Sequence, residues 1–471
     1  MKKIGLIIIC LFIVLTQNAQ TELWGMTTFG GQDSIGNIFK IDVSGNTNTN
    51  EYSFSGTSNG GYPWGSLMQA SDDLLYGLTS FGGANFNGVL FQYDPSSHTY
   101  NKKIDLNRVL DGAYPDGSLM QASDGMLYGV TSLGGVNDLG TLFQYDPVAN
   151  IFTKKLDFAG TSNGAYSFGS LIQATNGLLY GLAENGGING DGVLFQYDLL
   201  TGVTTKKIDF NALINGSHPE GSLIEASNGK LYGMTMQGGG VGSVGGLFEY
   251  DPLTNICNNL FGFDGSAKGA QPLGSLVQAL DENLYGLTVQ GGLNNMGVLF
   301  QYNPITNIYT KKIDFDGLIK GSSPRGTLMQ ASDGNLYGLT NDGGVFGYGV
   351  LFQFNPITDM FTKKLDFNHL NGANPAFTNL IEINTSITKI KDNANPDNLI
   401  LYPNPNNGSF TFDLISKSKI TITNVLGETV FSQWMEIGKQ TFNLQYQING
   451  VYFVKVTNSY GLSTTKKVVV N

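Results

Sequence analysis

Between residues 21 and 385 the apolar positions fall in short runs of four to six, separated by polar, glycine-rich turns. The run Leu127-Tyr128-Gly129-Val130-Thr131 sets the pattern. Its leucine recurs as Leu23, Leu75, Leu179, Leu231, Leu284 and Leu336, in steps of 52, 52, 52, 52, 53 and 52 residues. Apolar runs of this length, bounded by Gly, Asp and Pro, read as strands. A fixed period near 50 residues marks a repeat architecture.

Each unit reads as four strands. The first is Gly117 to Ala122. The pair Asp124-Gly125, matched by Asn176-Gly177, Asn228-Gly229 and Asp333-Gly334, supplies the positive φ angles of a tight hairpin. The Leu-Tyr-Gly segment is the second strand. The third, Leu142-Phe143-Gln144-Tyr145, is almost continuously apolar, as for a strand buried on both faces. After Asp146-Pro147 comes the fourth, Phe152 to Asp157, with paired lysines repeated at Lys102-Lys103, Lys206-Lys207, Lys311-Lys312 and Lys363-Lys364. Charge there blunts an open sheet edge without any ligand.

The array opens on a second strand at Leu23-Trp24-Gly25 and closes on a lone first strand at Asn374 to Glu382. Complementary ends of this kind close a ring. The fold predicted is an all-β, seven-bladed propeller over 21–385. An open solenoid has no need of such halves.

The order Asp-Gly-x-Leu-Tyr-Gly-x-Thr, then Gly-Gly, a variable loop and Gly-Val-Leu-Phe resembles the GloVer tandem repeat of bacterial exported proteins. That resemblance implies fold and export, and no chemistry.

The termini add an address. Met1-Lys2-Lys3 followed by the apolar run Ile4 to Leu15 reads as a signal peptide over 1–20, cleaved after Ala19 or Gln20. Cleavage removes Cys10 and leaves Cys257, which stands where other repeats carry Tyr100, Phe152, Tyr309 and Phe361. It reads as a buried hydrophobe. The net charge of −11 becomes more negative when Lys2 and Lys3 leave, which excludes nucleic acid as a partner. No transmembrane segment is expected in the mature chain.

Residues 386–398 read as a polar linker. Beyond it, 399–471 carries alternating strand patterns such as Ser409 to Leu414 and Val451 to Val456, expected to form a small Ig-like β-sandwich. Leu401-Tyr402-Pro403-Asn404-Pro405, Val425-Leu426-Gly427, Gly450-Val451-Tyr452 and Lys466-Lys467-Val468 resemble the type A C-terminal sorting domain of the type IX secretion system. The resemblance implies that Tyr402, Pro403, Asn404, Pro405, Gly450, Tyr452, Lys466 and Lys467 carry the sorting motif. It also implies two partners, the secretion machinery and a sortase-like protease, and a destination outside the cell or on the outer-membrane surface of a Gram-negative bacterium.

Chemistry is expected where repeats differ. The connection before each first strand varies at two positions. The first holds Tyr62, Tyr114, Tyr166, His218, Gln271, Ser323 and Asn374; the second holds Trp64, Asp116, Phe168, Glu220, Leu273, Arg325 and Ala376. Aromatics with nearby polar groups suit a glycan or surface polymer. The candidate ligand-binding residues are Tyr62, Trp64, Tyr114, Asp116, Tyr166, Phe168, His218, Glu220 and Arg325. Read the other way, the same rings fill space between blades. Asp116 and Glu220 also form a candidate carboxylate pair for an extracellular polysaccharide hydrolase or lyase. Asp105, Asp157, Asp209, Asp264, Asp314 and Asp366 recur and so read as structural. The sequence requires no cofactor and shows no metal-ligand spacing or catalytic residue set. The function expected is extracellular binding or adhesion.

Overall fold

The computed structural model describes residues 20–43, 48–240, 242–385, 409–414, 417–425, 427–444, 450–458 and 463–470. Residues 1–19 of the expected leader, the linker at 386–398, Leu426 and the segment Leu401 to Pro405 lie outside the described residues. Contacts divide the chain into two units, Met1–Thr385 and Ser386–Asn471.

The first unit consists of seven four-stranded antiparallel sheets. Six are continuous in sequence, and we number these blades I to VI. Blade II contains Met120–Gln121, Leu127–Thr131, Thr141–Asp146 and Ile151–Asp157. The seventh, the closing blade, joins Ile381–Thr385 to Gln20–Thr27, Asn37–Asp42 and Asn48–Ser53. Trp24 pairs with Ile381 and Leu23 with Glu382, so the chain ends complete one sheet as expected.

The repeat motif follows from contacts inside a blade. Phe143 lies opposite Gly129 across the central strands. A Cβ on Gly129 would stand 2.5 Å from the Phe143 ring, so only glycine fits beneath it. The Tyr128 hydroxyl donates to Asp124 Oδ2 at 2.8 Å and accepts from Gln144 Nε2 at 2.7 Å. Burial and the Asp124 carboxylate push that phenol well above its usual range. Thus the Asp of the turn, the Tyr of the second strand and the Gln of the third are one hydrogen-bonded unit.

Two expectations need correction. The first strand shrinks to two residues, Met120–Gln121, and just before it the Ser118 N–H bonds to Ser170 Oγ of the next connection instead of to its own sheet. The Asp-Gly turn uses positive φ only at its second residue: Gly125 has φ 82°, and Asp73 and Glu282 take φ 65° at the same place.

No blade buries its own faces. Each apolar layer is shared by two blades: Tyr76, Leu78 and Leu90 of blade I pack with Leu127, Phe143 and Tyr145 of blade II. Trp24, Met26 and Ile38 of the closing blade pack with Leu75, Val89 and Phe91 of blade I. The third strand is therefore buried on both faces, as its apolar run requires.

The edge lysines do more than blunt the edge. Lys154 Nζ lies 3.0 Å from Asp157 Oδ1, which also accepts the Val136 N–H at 2.8 Å. The same latch ties the loop between strands two and three to strand four through Asp105, Asp209, Asp314 and Asp366. Asp264 does not belong to this set. Gly262 occupies the paired position in blade IV, and Asp264 instead accepts the N–H groups of Ala267 and Lys268. Cys257 pairs with Tyr250 and is half-buried against the layer between blades III and IV.

In the second unit, Ser409–Leu414 pairs with Gly438–Asn443, and a four-stranded sheet runs Thr429–Met435, Ser418–Asn424, Gly450–Asn458, Ser463–Val470. Phe410, Phe412 and Phe442 of the first pack on Ile420, Ile422, Val454 and Val468 of the second. This is the small sandwich expected. Tyr452 is in its core, whereas Lys466 and Lys467 are exposed on the outermost strand. Among the described residues no helix is long and apolar enough to cross a membrane.

Candidate functional site

Seven connections converge on one face of the propeller. Each carries its first variable residue at positive φ: Tyr62 54°, Tyr114 55°, Tyr166 56°, His218 55°, Gln271 53°, Ser323 53° and Asn374 48°. Side chains other than glycine seldom adopt this conformation. It is held here from both sides. The Tyr62 N–H donates to Ile35 O at 2.7 Å in the preceding blade's loop, and its carbonyl accepts from Ser80. Tyr114 bonds to Asn87 O, Tyr166 to Leu139 O and His218 to Asp191 O in the same way. The strained residue is thus a clasp between blades, and its side chain is half-buried.

Below the clasp the blades touch at backbone distance. A Cβ on Gly117 would lie 2.6 Å from Gly169 O, and one on Gly65 2.5 Å from Gly117 O. Next comes a belt of hydroxyls. The N–H of Ser66 donates to Ser118 Oγ at 2.7 Å, Ser118 to Ser170, Ser170 to Ser222, Ser222 to Ser275, and Ser275 to Thr327. Asn379 of the closing blade joins the other end of the belt by donating to Ser66 Oγ at 2.8 Å. The belt lines a central cavity of about 330 Å³, within the range of small-molecule sites.

The second variable position supplies the mouth of this cavity. Asp116, Phe168, Glu220, Leu273, Arg325 and Phe377 line it. Trp64 stacks on Phe377 with ring centroids 5.3 Å apart. Phe377 stands in the place expected for Ala376. One extra residue in the last connection moves the register, and Ala376 is buried instead. In blade order the second positions read Trp64, Asp116, Phe168, Glu220, Leu273, Arg325, Phe377, an alternation of apolar and charged groups; all but Trp64 line the cavity, and Trp64 backs Phe377.

The charged members are not equivalent. Asp116 is 6% exposed. It accepts hydrogen bonds from Ser80 Oγ at 2.6 Å and Ser132 Oγ at 2.7 Å. Burial pushes its carboxyl up to about 6, and the two serines partly offset that. Its hydrogen-bonding is satisfied by the protein. Glu220 is pushed up to about 7, first by burial and then by the charge of Glu184, with Arg325 acting the other way. Glu184 is itself raised by burial and lowered by His218. Nδ1 of His218 and Nε of Arg325 are buried without a hydrogen-bond partner. The charge coupling at the mouth therefore joins Glu220 to Glu184, a residue of the second-strand end that sequence reasoning missed.

A second aromatic feature lies on the same face. Phe29, Tyr62, Phe81 and Tyr114 form a chain of rings with centroid spacings of 5.4, 5.8 and 4.7 Å. The Arg108 guanidinium sits over Tyr114 at 5.6 Å. Phe29 and Phe81 are 45% and 43% exposed. Sequence reasoning missed both. Their signal was the column before each Gly-Gly, which reads Phe29, Phe81, Leu133, Asn185, Gln237, Gln290 and Asp342. Tyr166 repeats the clasp conformation of Tyr62 and Tyr114.

Comparison with known proteins gives two family matches. The Gloeobacter/Verrucomicrobia repeat matches residues 13–147, 109–279 and 247–386. The secretion system C-terminal sorting domain matches 400–471. No curated protein matches the chain. Among solved structures, the periplasmic gluconolactonase PpgL of Pseudomonas aeruginosa is similar with a TM-score of 0.54 and 14% identity, covering 77% of this chain and 99% of that one. A putative 6-phosphogluconolactonase from Bacteroides fragilis gives 0.52 and 14%, covering 78% and 99%. PorZ, a surface component of the type IX secretion system of Porphyromonas gingivalis, gives 0.44 and 13%, covering 92% of this chain and 63% of that one. The chain thus spans less than two thirds of PorZ. At these identities the likeness is one of fold alone.

Proposed function

The chain belongs to the Gloeobacter/Verrucomicrobia repeat family and carries a type IX sorting domain that delivers it outside the cell or to the outer-membrane surface; on that premise we propose that its propeller is an extracellular binding module whose ligand is a glycan held at the channel mouth. The observation that carries this reading is the asymmetric mouth. Around a near-symmetric scaffold, Phe168 and Phe377, the latter stacked on Trp64, share the lining of one cavity with Asp116, Glu220 and Arg325. Aromatic faces take the C–H faces of a pyranose, and the charged groups take its hydroxyls. The hydroxyl belt supports the same chemistry. Ser118, Ser170, Ser222, Ser275 and Thr327 each accept a backbone N–H, and none has a protein acceptor for its own proton among the described residues, so these donors are available to an oxygen-rich ligand.

The test is a glycan array probed with the full mature chain and with its Phe377→Ala and Trp64→Ala variants. Binding to a defined glycan that both variants lose, with an unchanged thermal transition, supports the reading. Binding unaffected by either substitution moves the site away from the mouth.

The raised carboxyl of Glu220 favours a second reading, an enzyme that cleaves polysaccharide with Glu220 as acid. Release of reducing ends from an array hit, lost in Glu220→Gln, distinguishes it from binding alone.

A further inference from the structure

The chain has two arginines, and they are held differently. Arg108 is gripped in a fork by Asp138, with Nη2 and Nε each 2.9 Å from a carboxylate oxygen. Arg325 lines the central cavity and is the only cation of that lining among the described residues. Its Nε is buried with no hydrogen-bond partner, and no ion pair within 4.0 Å holds its guanidinium among the described residues. A buried N–H without an acceptor is costly, and native structures nearly always supply one. For Arg325 the acceptor has to come from what fills the cavity. The hydroxyl belt has the same need. Ser118, Ser170, Ser222, Ser275 and Thr327 line the cavity, each takes a backbone N–H on its oxygen, and each keeps its own proton to donate. The acids of the lining do not use these donors. Asp116 is taken up by Ser80 and Ser132, and no hydrogen bond or ion pair joins Glu220 to Arg325 or to the belt among the described residues.

We propose that the cavity takes an acidic sugar, a uronate whose carboxylate pairs with the Arg325 guanidinium and whose ring and hydroxyl oxygens accept from the belt. The inference rests on the glycan reading above and narrows it to acidic glycans. A planar carboxylate fits a guanidinium fork through two parallel bonds, as Asp138 does on Arg108. Asp116 and Glu220 in the same lining limit the charge that one guanidinium can admit. A carboxylate brings one negative charge, whereas a phosphate monoester brings nearly two. Glu220 is pushed up to about 7, first by burial, so near neutral pH part of it carries a proton and opposes the anion less. The chain's net charge of −11 acts from a distance, where salt screens it beyond about 8 Å; the guanidinium acts at contact. A volume of about 330 Å³ is at the small end of ligand sites, so a single sugar unit enters, with Phe168 and Phe377 beside it for the faces of its ring.

The test titrates the full mature chain, by calorimetry, with a galacturonate tetramer, the same tetramer fully methyl-esterified, and free acetate and sulfate. Arg325→Gln, Arg325→Lys and Phe377→Ala variants are measured in parallel. The expected result is a preference of about tenfold or more for the acid tetramer over its ester and over either free anion. Arg325→Gln reduces acid binding to the ester level without weakening the ester, and Arg325→Lys, which keeps the charge and loses the fork, retains part of the preference. Equal or tighter binding of the ester, or a preference that survives Arg325→Gln, overturns the carboxylate assignment and leaves the glycan reading standing. Acetate or sulfate bound as tightly as the acid tetramer marks a general anion site and overturns the sugar assignment. Binding of no tetramer, or tetramer binding indifferent to Phe377→Ala, overturns the glycan reading and this inference with it. The comparison among ligands uses the wild-type chain, so it decides even if a variant fails to fold.

Discussion

Asn379 donates its backbone N–H to the hydroxyl of Ser66 at 2.8 Å, across 313 positions of sequence. That bond, the return contact from Ser66 Oγ to the Asn379 side chain, and the Ser332 N–H to Glu382 Oε2 bond at 2.7 Å close the ring. Ser66→Ala removes an acceptor and a donor together at a buried position. The expected loss is about 1–2 kcal/mol of unfolding free energy, read by denaturant titration. No change would mean that the apolar layer between the closing blade and blade I carries closure by itself.

Two glycines separate close approach from backbone conformation. Gly117 has ordinary φ, yet its Cβ would meet Gly169 O at 2.6 Å; Gly177 has φ 84° with open space around it. Gly117→Ala is expected to cost about 3 kcal/mol, through blades forced apart. Gly177→Ala should cost about 1 kcal/mol, through the left-handed region alone. Equal costs in thermal melts would contradict this division.

Asp116 makes stability depend on pH. Its folded carboxyl is pushed up to about 6, mainly by burial, from the ordinary value of 3.8. Between those values the folded state holds a proton that the unfolded state has lost, so this group's contribution falls as pH rises from about 4 to 6. Asp116→Asn, which still bonds both serines, is expected to be more stable than the parent above pH 6, by on the order of 2 kcal/mol. The two should converge below pH 4. A constant difference across pH would show that the carboxyl is not raised.

Cys257 is half-buried, and burial pushes its thiol up to about 12. Thiolate is the reactive form. A thiol reagent at neutral pH is expected to leave Cys257 of the native chain unmodified and to label it fully in denaturant. Rapid native labelling would remove Cys257 from the interblade layer.

The repeat made most of the fold readable. Blades I, II and V repeat the same Asp, Tyr and Gln contacts, and Leu23 and Leu380 at the chain ends share one apolar layer. What escaped was local and three-dimensional. Phe377 was hidden by a one-residue insertion that put Ala376 in its column. Asp264 was grouped with the recurring aspartates by its place after the fourth strand, but pairing assigns their position to Gly262. Phe29 and Phe81 drew no reading from sequence, because only the packing of loops beside Tyr62 brings the rings together. The coupling of Glu220 to Glu184 depends on which side chains meet across blades, which spacing does not encode.

The central claim is that the mouth holds a ligand, and the direct measurement is calorimetric titration of the strongest array glycan into the full mature chain, its Phe377→Ala form and a Phe86→Ala control. Phe86 is an exposed loop residue away from the cavity lining. The account predicts saturable binding that falls at least about tenfold in Phe377→Ala and is unchanged in the control. Equal binding by all three proteins would contradict it.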